Sequence, residues 1–509
     1  MSLSRARILL ASSLVLVLPC AAAAQDLVSF EKRVTLKVLP NGMTIIVCER
    51  PAAPVFSFFT HVDVGSDREV PGITGLAHMF EHMAFKGTDT IGTSDHAAEK
   101  VALEKVEAVY TAYETERRRR FGRDEKKLAE LEKVFQDAAA EADRYVVRNE
   151  FGEIVDREGG VGLNAFTSSD ETGYFYSFPA NRLELWAFLE SERFLKPVMR
   201  EFYKEREVVK EERRMRAESN PVGRMVEQFI AAAFTAHPYG QAGIGWPSDL
   251  ESFSASEARD FFERYYVPAN MTVAIVGDVK ASEALAIAEK YLGRLPARPK
   301  PEPLRTVEPP QRAERQVVLR DPAQPLYLEG YHRPDVRDKD DAVFVAIGDL
   351  LSNGRTSRLY RSLVRDKKIA ASSAGFNGFP GEKYPNLFVL YAFTTPGHTP
   401  DEVRDAIRAE VERLKNEDVT DDELKMVKTR AKADLIRRLD QNQGLAIQLA
   451  TAQARFGDWR ELFQQVDRID KVTKADIRRV AATTFVPENR TVAIIESTQM
   501  ATAPVEGRK

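Results

Sequence analysis

Apolar residues recur at three- and four-residue spacing in two successive, highly charged stretches. The first set is Leu103, Val106, Tyr110 and Tyr113, and the second is Leu128, Leu131, Phe135, Ala138, Ala142 and Tyr145. Each set lines one face of a helix, and the break at "RRRRFGRDEKK" turns the chain back on itself. The pattern predicts an antiparallel coiled-coil hairpin over residues 101–148, with the arginines 117–120 at its solvated tip. A shorter helical pattern covers residues 75–86, where Leu76, Met79, Phe80, Met83 and Phe85 suit a buried segment. Another covers 201–215, with Phe202, Val208 or Val209, and Met215 as its apolar stripe. Two continuous runs, "TVAIV" from Thr272 and "TVAII" from Thr491, are short and β-branched and read as strands.

Those two strands belong to a longer repeat. "YVPANMTVAIVGD" (266–278) recurs as "FVPENRTVAIIES" (485–497), an offset of 219 residues. At the same offset, Ser254 with Glu257 and Thr473 with Asp476 form helix-capping signals of the S/T-x-x-D/E type. Agreement of cap, proline, asparagine and strand predicts two homologous α+β units. Between them "LGRLPARPKPEPLRTVEPPQRAER" (292–315) carries too much proline for a helix or a central strand and reads as a linker. The expected organisation is a first unit over 25–291, containing the hairpin, and a second over 316–509.

The first residues, "MSLSRARILLASSLVLVLPCAAAAQ", combine Arg5 and Arg7, an apolar run and small residues up to Ala24. This predicts a secretory signal peptide over 1–24, cleaved before Gln25, and an exported, periplasmic or secreted protein. The run is short for a membrane span, and Pro19 before Cys20 fits a lipoprotein signal poorly. Without the signal, Cys48 is the only cysteine, so stability must come from the core or from metal and not from an internal disulfide. The remaining composition (43% hydrophobic, 29% charged, net charge −4) is that of a globular chain and gives no reason to expect nucleic acid as a partner.

Two of the seven histidines stand on the short apolar helix of "GLAHMFEHMAFKGT" (75–88). On a helix, His78 and His82 are separated by about 40° and about 6 Å, so their imidazoles can converge on one ion. Neutral imidazole is a good zinc ligand. Glu81 flanks the same face, and a carboxylate there could hold a water molecule and take its proton. Zinc needs a third protein ligand. In "EFYKEREVVKEERRM" (201–215), Glu205 and Glu212 fall seven residues apart on the apolar stripe, whereas Glu211 turns toward solvent. Carboxylates on a buried face need partners. Either an ion held with the histidines or the nearby Arg206, Arg213, Arg214 and Arg216 would serve.

Together these tracts resemble the pitrilysin–insulinase family, whose zinc motif has the H-x-x-E-H order. "GLAHMFEHMAFKGT" is similar to that motif and "EREVVKEE" to the family's distal helix. The resemblance implies that His78, His82 and Glu212 hold one Zn²⁺ per chain, that Glu81 activates water, and that Glu205 orients a ligand histidine. "GGVGLNAFTSSDETGYF" (159–175) resembles the substrate-edge strand, which implies that Asn164 and Ala165 contact substrate backbone. "HPYGQAGIGWPSDL" and "LLSNGRTSRLYRSLVRDKK" also resemble family tracts. The implied fold is α+β: two homologous sandwich domains in a clamshell around a chamber that admits peptides or unfolded polypeptides. Two departures stand out. His82 and Glu212 lie 130 residues apart, longer than usual, with the hairpin as the excess. In "KIAAS", Ala371 stands where similar proteins carry a tyrosine that binds the substrate carbonyl. This implies a zinc-bearing subunit whose homologous partner supplies an Arg–Tyr pair, with a homodimer as the alternative. A non-catalytic peptide-binding or structural subunit is the rival expectation, and the intact motif speaks against it.

Overall fold

A computed structural model describes residues 30–498; the expected signal segment and Cys20 lie outside the described residues. The first half builds a six-stranded sheet from β1 (Val34–Val38), β2 (Thr44–Glu49), β3 (Val55–Val62), β4 (Val161–Thr167), β5 (Thr172–Pro179) and β6 (Met271–Gly277). Its order is β1-β2-β6-β3-β5-β4. The second half builds β7 (Arg315–Asp321), β8 (Leu326–Arg333), β9 (Ala370–Phe379), β10 (Asn386–Thr394) and β11 (Arg490–Ser497), in the order β7-β11-β8-β10-β9. With β1 set aside, the two orders correspond strand for strand. In both sheets the described pairs are antiparallel except one, β2 with β6 and β7 with β11. This is the expected α+β clamshell class, with two similar halves and a helical hairpin inserted in the first.

The sequence repeat has a physical basis. Ser254 and Thr473 each close a capping box, and each capped helix leads into the Val-Pro-x-Asn turn before β6 or β11. The Asn270 amide donates to the carbonyls of Asp63 and Tyr265, and the Asn489 amide to those of His332 and Thr484. In both halves one asparagine ties the helix end to the end of the neighbouring central strand. No helix or strand forms between Leu292 and Arg315.

β6 is buried along its whole length because both faces of its sheet are covered. One face packs on first-half helices. The other is covered by a second-half helix, Asn442–Phe456, whose Leu445, Ala446, Leu449 and Ala450 meet Ile46, Phe59, Ala274 and Val276. The reverse also holds: Met225, Phe229, Ile230 and Ala233 of helix Pro221–Ala233 cover Leu328, Leu387, Val389, Ala493 and Ile495 of the second sheet. Each half therefore supplies the missing layer of the other.

Charged groups close the junction. Asp170 accepts the backbone N–H groups of Glu382 (2.6 Å) and Lys383 (3.0 Å), and Lys383 reaches Asp63. Glu171 meets His61 at 2.7 Å and Arg455 at 3.5 Å. Burial alone would raise the Glu171 pKa, but His61 and Arg455 prevail and hold it at about 2. A depressed carboxylate stabilises the fold above its unfolded pKa and loses that contribution as pH falls through its folded value. The wild type should lose on the order of 3 kcal/mol from this group between about pH 4.5 and pH 2. Glu171→Gln should be less stable at pH 7 and lack that part of the acid dependence, which denaturant unfolding across the range will check.

The hairpin consists of helices His96–Arg117 and Glu125–Ala142. It begins before residue 101 because the Asp95 carboxylate caps the first helix through Ala98 N at 3.1 Å. Ala102, Val106, Tyr110, Ala138 and Ala142 are its buried apolar residues, and Tyr113 stacks on Phe135 with centroids 6.1 Å apart.

Candidate metal centre

The motif helix, Leu76–Met83, starts abruptly. Gly75 precedes it at φ 95°, and a Cβ there would meet the Ile244 carbonyl at 2.8 Å, so glycine is required on both counts. Buried Glu69 accepts from Gly75 N and Ala77 N, each at 2.8 Å, satisfying free N–H groups at the helix start. Asp249 holds the preceding loop through the N–H groups of Gly72 and Thr74. Leu76, Met79 and Phe80 are fully buried, and Phe80 stacks on Phe262 at 4.7 Å. That packing leaves His78, Glu81 and His82 on the remaining face.

The distal helix, Phe202–Arg213, shows three rows of residues seven apart. Phe202 and Val209 face the core at 2% and 0% exposure. Glu205 and Glu212 form a row on one flank and face the motif helix. Arg206 and Arg213, both buried, form the row on the other flank. The expected stripe needs correction at two points. Val208 is 47% exposed, leaving Val209 as the core residue, and Met215 is 61% exposed. Met215 follows Val208 by seven residues, so it shares that row and faces solvent with it. Glu211 is half-exposed and pairs with Arg214.

Across the gap, Glu212 Oε2 lies 3.4 Å from His78 Nε2 and 3.5 Å from His82 Nε2. These separations are long for hydrogen bonds. Two ligands held about 2.0–2.1 Å from a tetrahedral zinc stand about 3.3–3.4 Å apart, which is what the donors show. Among the described residues, His78, His82 and Glu212 form the one group of three or more such side chains with ligand atoms converged, all within 4.8 Å of one another. The residues therefore fit the ion. His82 Nδ1 faces Glu205 Oε2 at 3.3 Å, and Lys86 Nζ closes on Glu205 Oε1 at 2.5 Å. Arg216 takes the outer Glu212 oxygen at 2.6 Å. The other arginines considered from the sequence turn elsewhere: Arg206 to Tyr110 and Phe253, Arg213 to Gly245 and Glu227.

Burial, reinforced by the His82 and Arg216 charges, drives the His78 pKa down to about 3, so its ring is neutral as a metal ligand must be. Burial opposes a proton on His82, but Glu205, Glu81 and Glu212 outweigh it and raise the pKa. Burial also works against the Glu205 charge, yet His82 and Lys86 hold its pKa at about 2. Glu81 is raised by burial, with the nearby Thr167 hydroxyl and His82 offsetting part of it. A carboxylate moved upward is closer to the basicity that proton abstraction near neutral pH needs.

The motif helix packs against β4, the outer strand of the first sheet, whose far side has no strand partner among the described residues. Asn164 is exposed there and accepts from the N–H of Ala165 at 2.9 Å. Ala371 is exposed near the start of β9, the outer strand of the other sheet. Four supporting residues escaped the sequence reading: Glu69, Asp249, Lys86 and Arg200. Glu69 and Asp249 are buried acids without a periodic pattern, and only the fold shows what they hold.

Comparison with known proteins agrees with this arrangement. Residues 45–118, which include the histidine motif, match the family described as Insulinase (Peptidase family M16). Residues 252–431 match Peptidase M16 inactive domain. The chain is 28% identical over 447 residues to the zinc protease PqqE of Helicobacter pylori, covering 86% of each chain. It is 23% identical over 496 residues to the beta subunit of the mitochondrial-processing peptidase of Saccharomyces cerevisiae, covering 92% of this chain and 91% of the other. A crystal structure of a protease from Helicobacter pylori superposes with a TM-score of 0.76 at 26% identity, covering 91% of this chain and 99% of that one. A peptidase M16 inactive domain from Pseudomonas fluorescens shares the fold, with a TM-score of 0.72 at 16% identity over 92% and 98%. With the motif, the converging donors and the paired sheets all in agreement, this chain belongs to the insulinase family of peptidases, family M16.

Proposed function

We propose that the protein is a zinc metalloendopeptidase acting on peptides or unfolded polypeptides. The observation that carries this reading is the convergence of His78, His82 and Glu212 beside Glu81, next to an edge of β4 that has no strand partner among the described residues. The two histidine Nε2 atoms and Glu212 Oε2 would hold the zinc, which when bound would polarise the scissile carbonyl and acidify water. Glu81 takes the proton from the attacking water on its carboxylate and passes it to the leaving amine. Glu205 accepts from His82 Nδ1 and so fixes the ring that presents Nε2. An extended substrate pairs with β4 at Asn164 and Ala165, so backbone hydrogen bonds carry the binding and side-chain selectivity stays loose.

The mutual covering of the sheets joins the two halves through large apolar surfaces. A chamber around β4 is then closed by a second subunit. Ala371 offers no hydroxyl, which favours a homologous partner carrying the Arg–Tyr pair over a homodimer. The signal-like N-terminus supports export, to the periplasm or as a secreted protein. No helix among the described residues is long and apolar enough to cross a membrane.

The test is hydrolysis of a mixed peptide pool, followed by mass spectrometry. Cleavage should cease after treatment with a chelator and return when stoichiometric Zn²⁺ is restored. Cleavage that persists without metal would refute the reading. If zinc binds but nothing is cut, a tyrosine-bearing homologous subunit should confer activity, and failure of that reconstitution would favour a non-catalytic peptide-binding subunit.

A further inference from the structure

The hairpin is more than a surface arm. Tyr110, midway along its first helix, is 1% exposed, and its ring lies 4.2 Å from that of Tyr203 on the distal helix. Phe135 of the second hairpin helix meets the same Tyr203 at 5.0 Å. The Arg206 guanidinium lies 5.1 Å from both tyrosine rings and bonds to the Tyr110 hydroxyl at 2.5 Å and the Phe253 carbonyl at 3.2 Å. The Tyr203 hydroxyl donates to Glu107 of the hairpin at 2.6 Å. At the other end of the distal helix, Arg213 is fixed by the Gly245 carbonyl at 2.7 Å and by both Glu227 oxygens at 2.9 Å. The base of the hairpin is tied to the segment after the motif helix as well. Buried Arg200 bonds Glu99 of the hairpin at 2.7 Å and the carbonyls of Lys86, Thr88 and Ile91 at 2.6, 2.9 and 3.1 Å.

Arg206 and Arg213 lie across the core row from Glu205 and Glu212, so holding the arginines fixes the rotation of the helix that presents the carboxylates. At a radius of about 6 Å, a rotation of about 10° moves a side-chain end by about 1 Å. Metal–ligand distances tolerate only about ±0.2 Å. We propose that the hairpin is part of the support of the metal centre, with Tyr110 and Arg206 as positioning residues for Glu212 and Glu205. This rests on the zinc reading above. Cation–aromatic contact and a charge-assisted hydrogen bond, both shielded from water, make the Tyr110–Arg206 pair a strong clamp. The hairpin tip at Arg120 touches neither metal-bearing helix in this way and serves as the control.

The experiment is competition for Zn²⁺ against a chromophoric chelator, using the full chain and the variants Tyr110→Phe, Arg206→Lys and Arg120→Ala. Each is measured well below its own metal-free unfolding midpoint. Tyr110→Phe and Arg206→Lys should bind zinc on the order of tenfold more weakly, while Arg120→Ala keeps the wild-type value. A purely structural role would lower the metal-free midpoint and leave the zinc affinity of the folded protein unchanged, which would overturn the proposal. So would an equal loss in Arg120→Ala. A wild type that binds no zinc would overturn the zinc reading itself, and this inference with it.

Discussion

Replacing Glu81 by glutamine should reduce peptide hydrolysis by about a thousandfold while leaving zinc bound. The substitution keeps the shape of the side chain and removes the only carboxylate of the motif helix, which is neither a converging donor nor bound to Lys86. Glu81 is only partly exposed, and burial lifts its pKa in the direction that proton abstraction near neutral pH needs. An amide in its place cannot accept the proton of the attacking water or return it to the amine. Zinc stoichiometry, measured on the same sample, separates the loss of a base from the loss of the ion. If Glu81→Gln cleaves the peptide pool at the wild-type rate, another group is the base and Glu81 serves only the fold.

The second large effect is expected at Glu212. Glu212→Gln should weaken zinc by more than the 10–100-fold that loss of a supporting partner costs, because it removes a charged donor from the set itself. Its Oε2 is the atom that both histidines face, at 3.4 and 3.5 Å. Glu205→Gln should stay within that 10–100-fold range, since of the converging donors it meets only His82, at the outer ring nitrogen. Glu211→Gln, one residue from Glu212 yet on the solvent side, should leave zinc binding unchanged. Equilibrium dialysis of the three variants gives the order directly. Equal affinity in Glu212→Gln and wild type would remove Glu212 from the site.

Part of this could be read before any coordinates. His78 and His82 are four residues apart, and a helix brings them together whatever surrounds it. The two Val-Pro-x-Asn turns and their caps are local signals, so they report the repeat and the two halves. The apolar row of the distal helix was less legible: Met215 lies seven residues after Val208 and shares its row, so with Val209 in the core both turn to solvent. Spacing from Phe202 offers Val208 and Val209 alike, and only the packing against the core chooses between them. The start of the hairpin was missed because Asp95 caps the helix before its apolar seam begins.

By itself, then, the sequence determined what depends on contacts within a few residues: the helical histidine pair with its carboxylate, the capped repeat, the proline-rich connection and the hairpin seam. Tertiary structure decided what depends on residues distant along the chain. It set Glu212 against His78 and His82 across 130 residues, gave Glu205 to His82 and Lys86, and placed Arg206 under the hairpin's Tyr110. It also exchanged helices between the halves, so that Leu449 covers the first sheet and Phe229 the second. The physical reason is common to all of these. An apolar run states that a strand is buried on both faces, but hydrophobic burial has no direction and does not name the surface that does the covering.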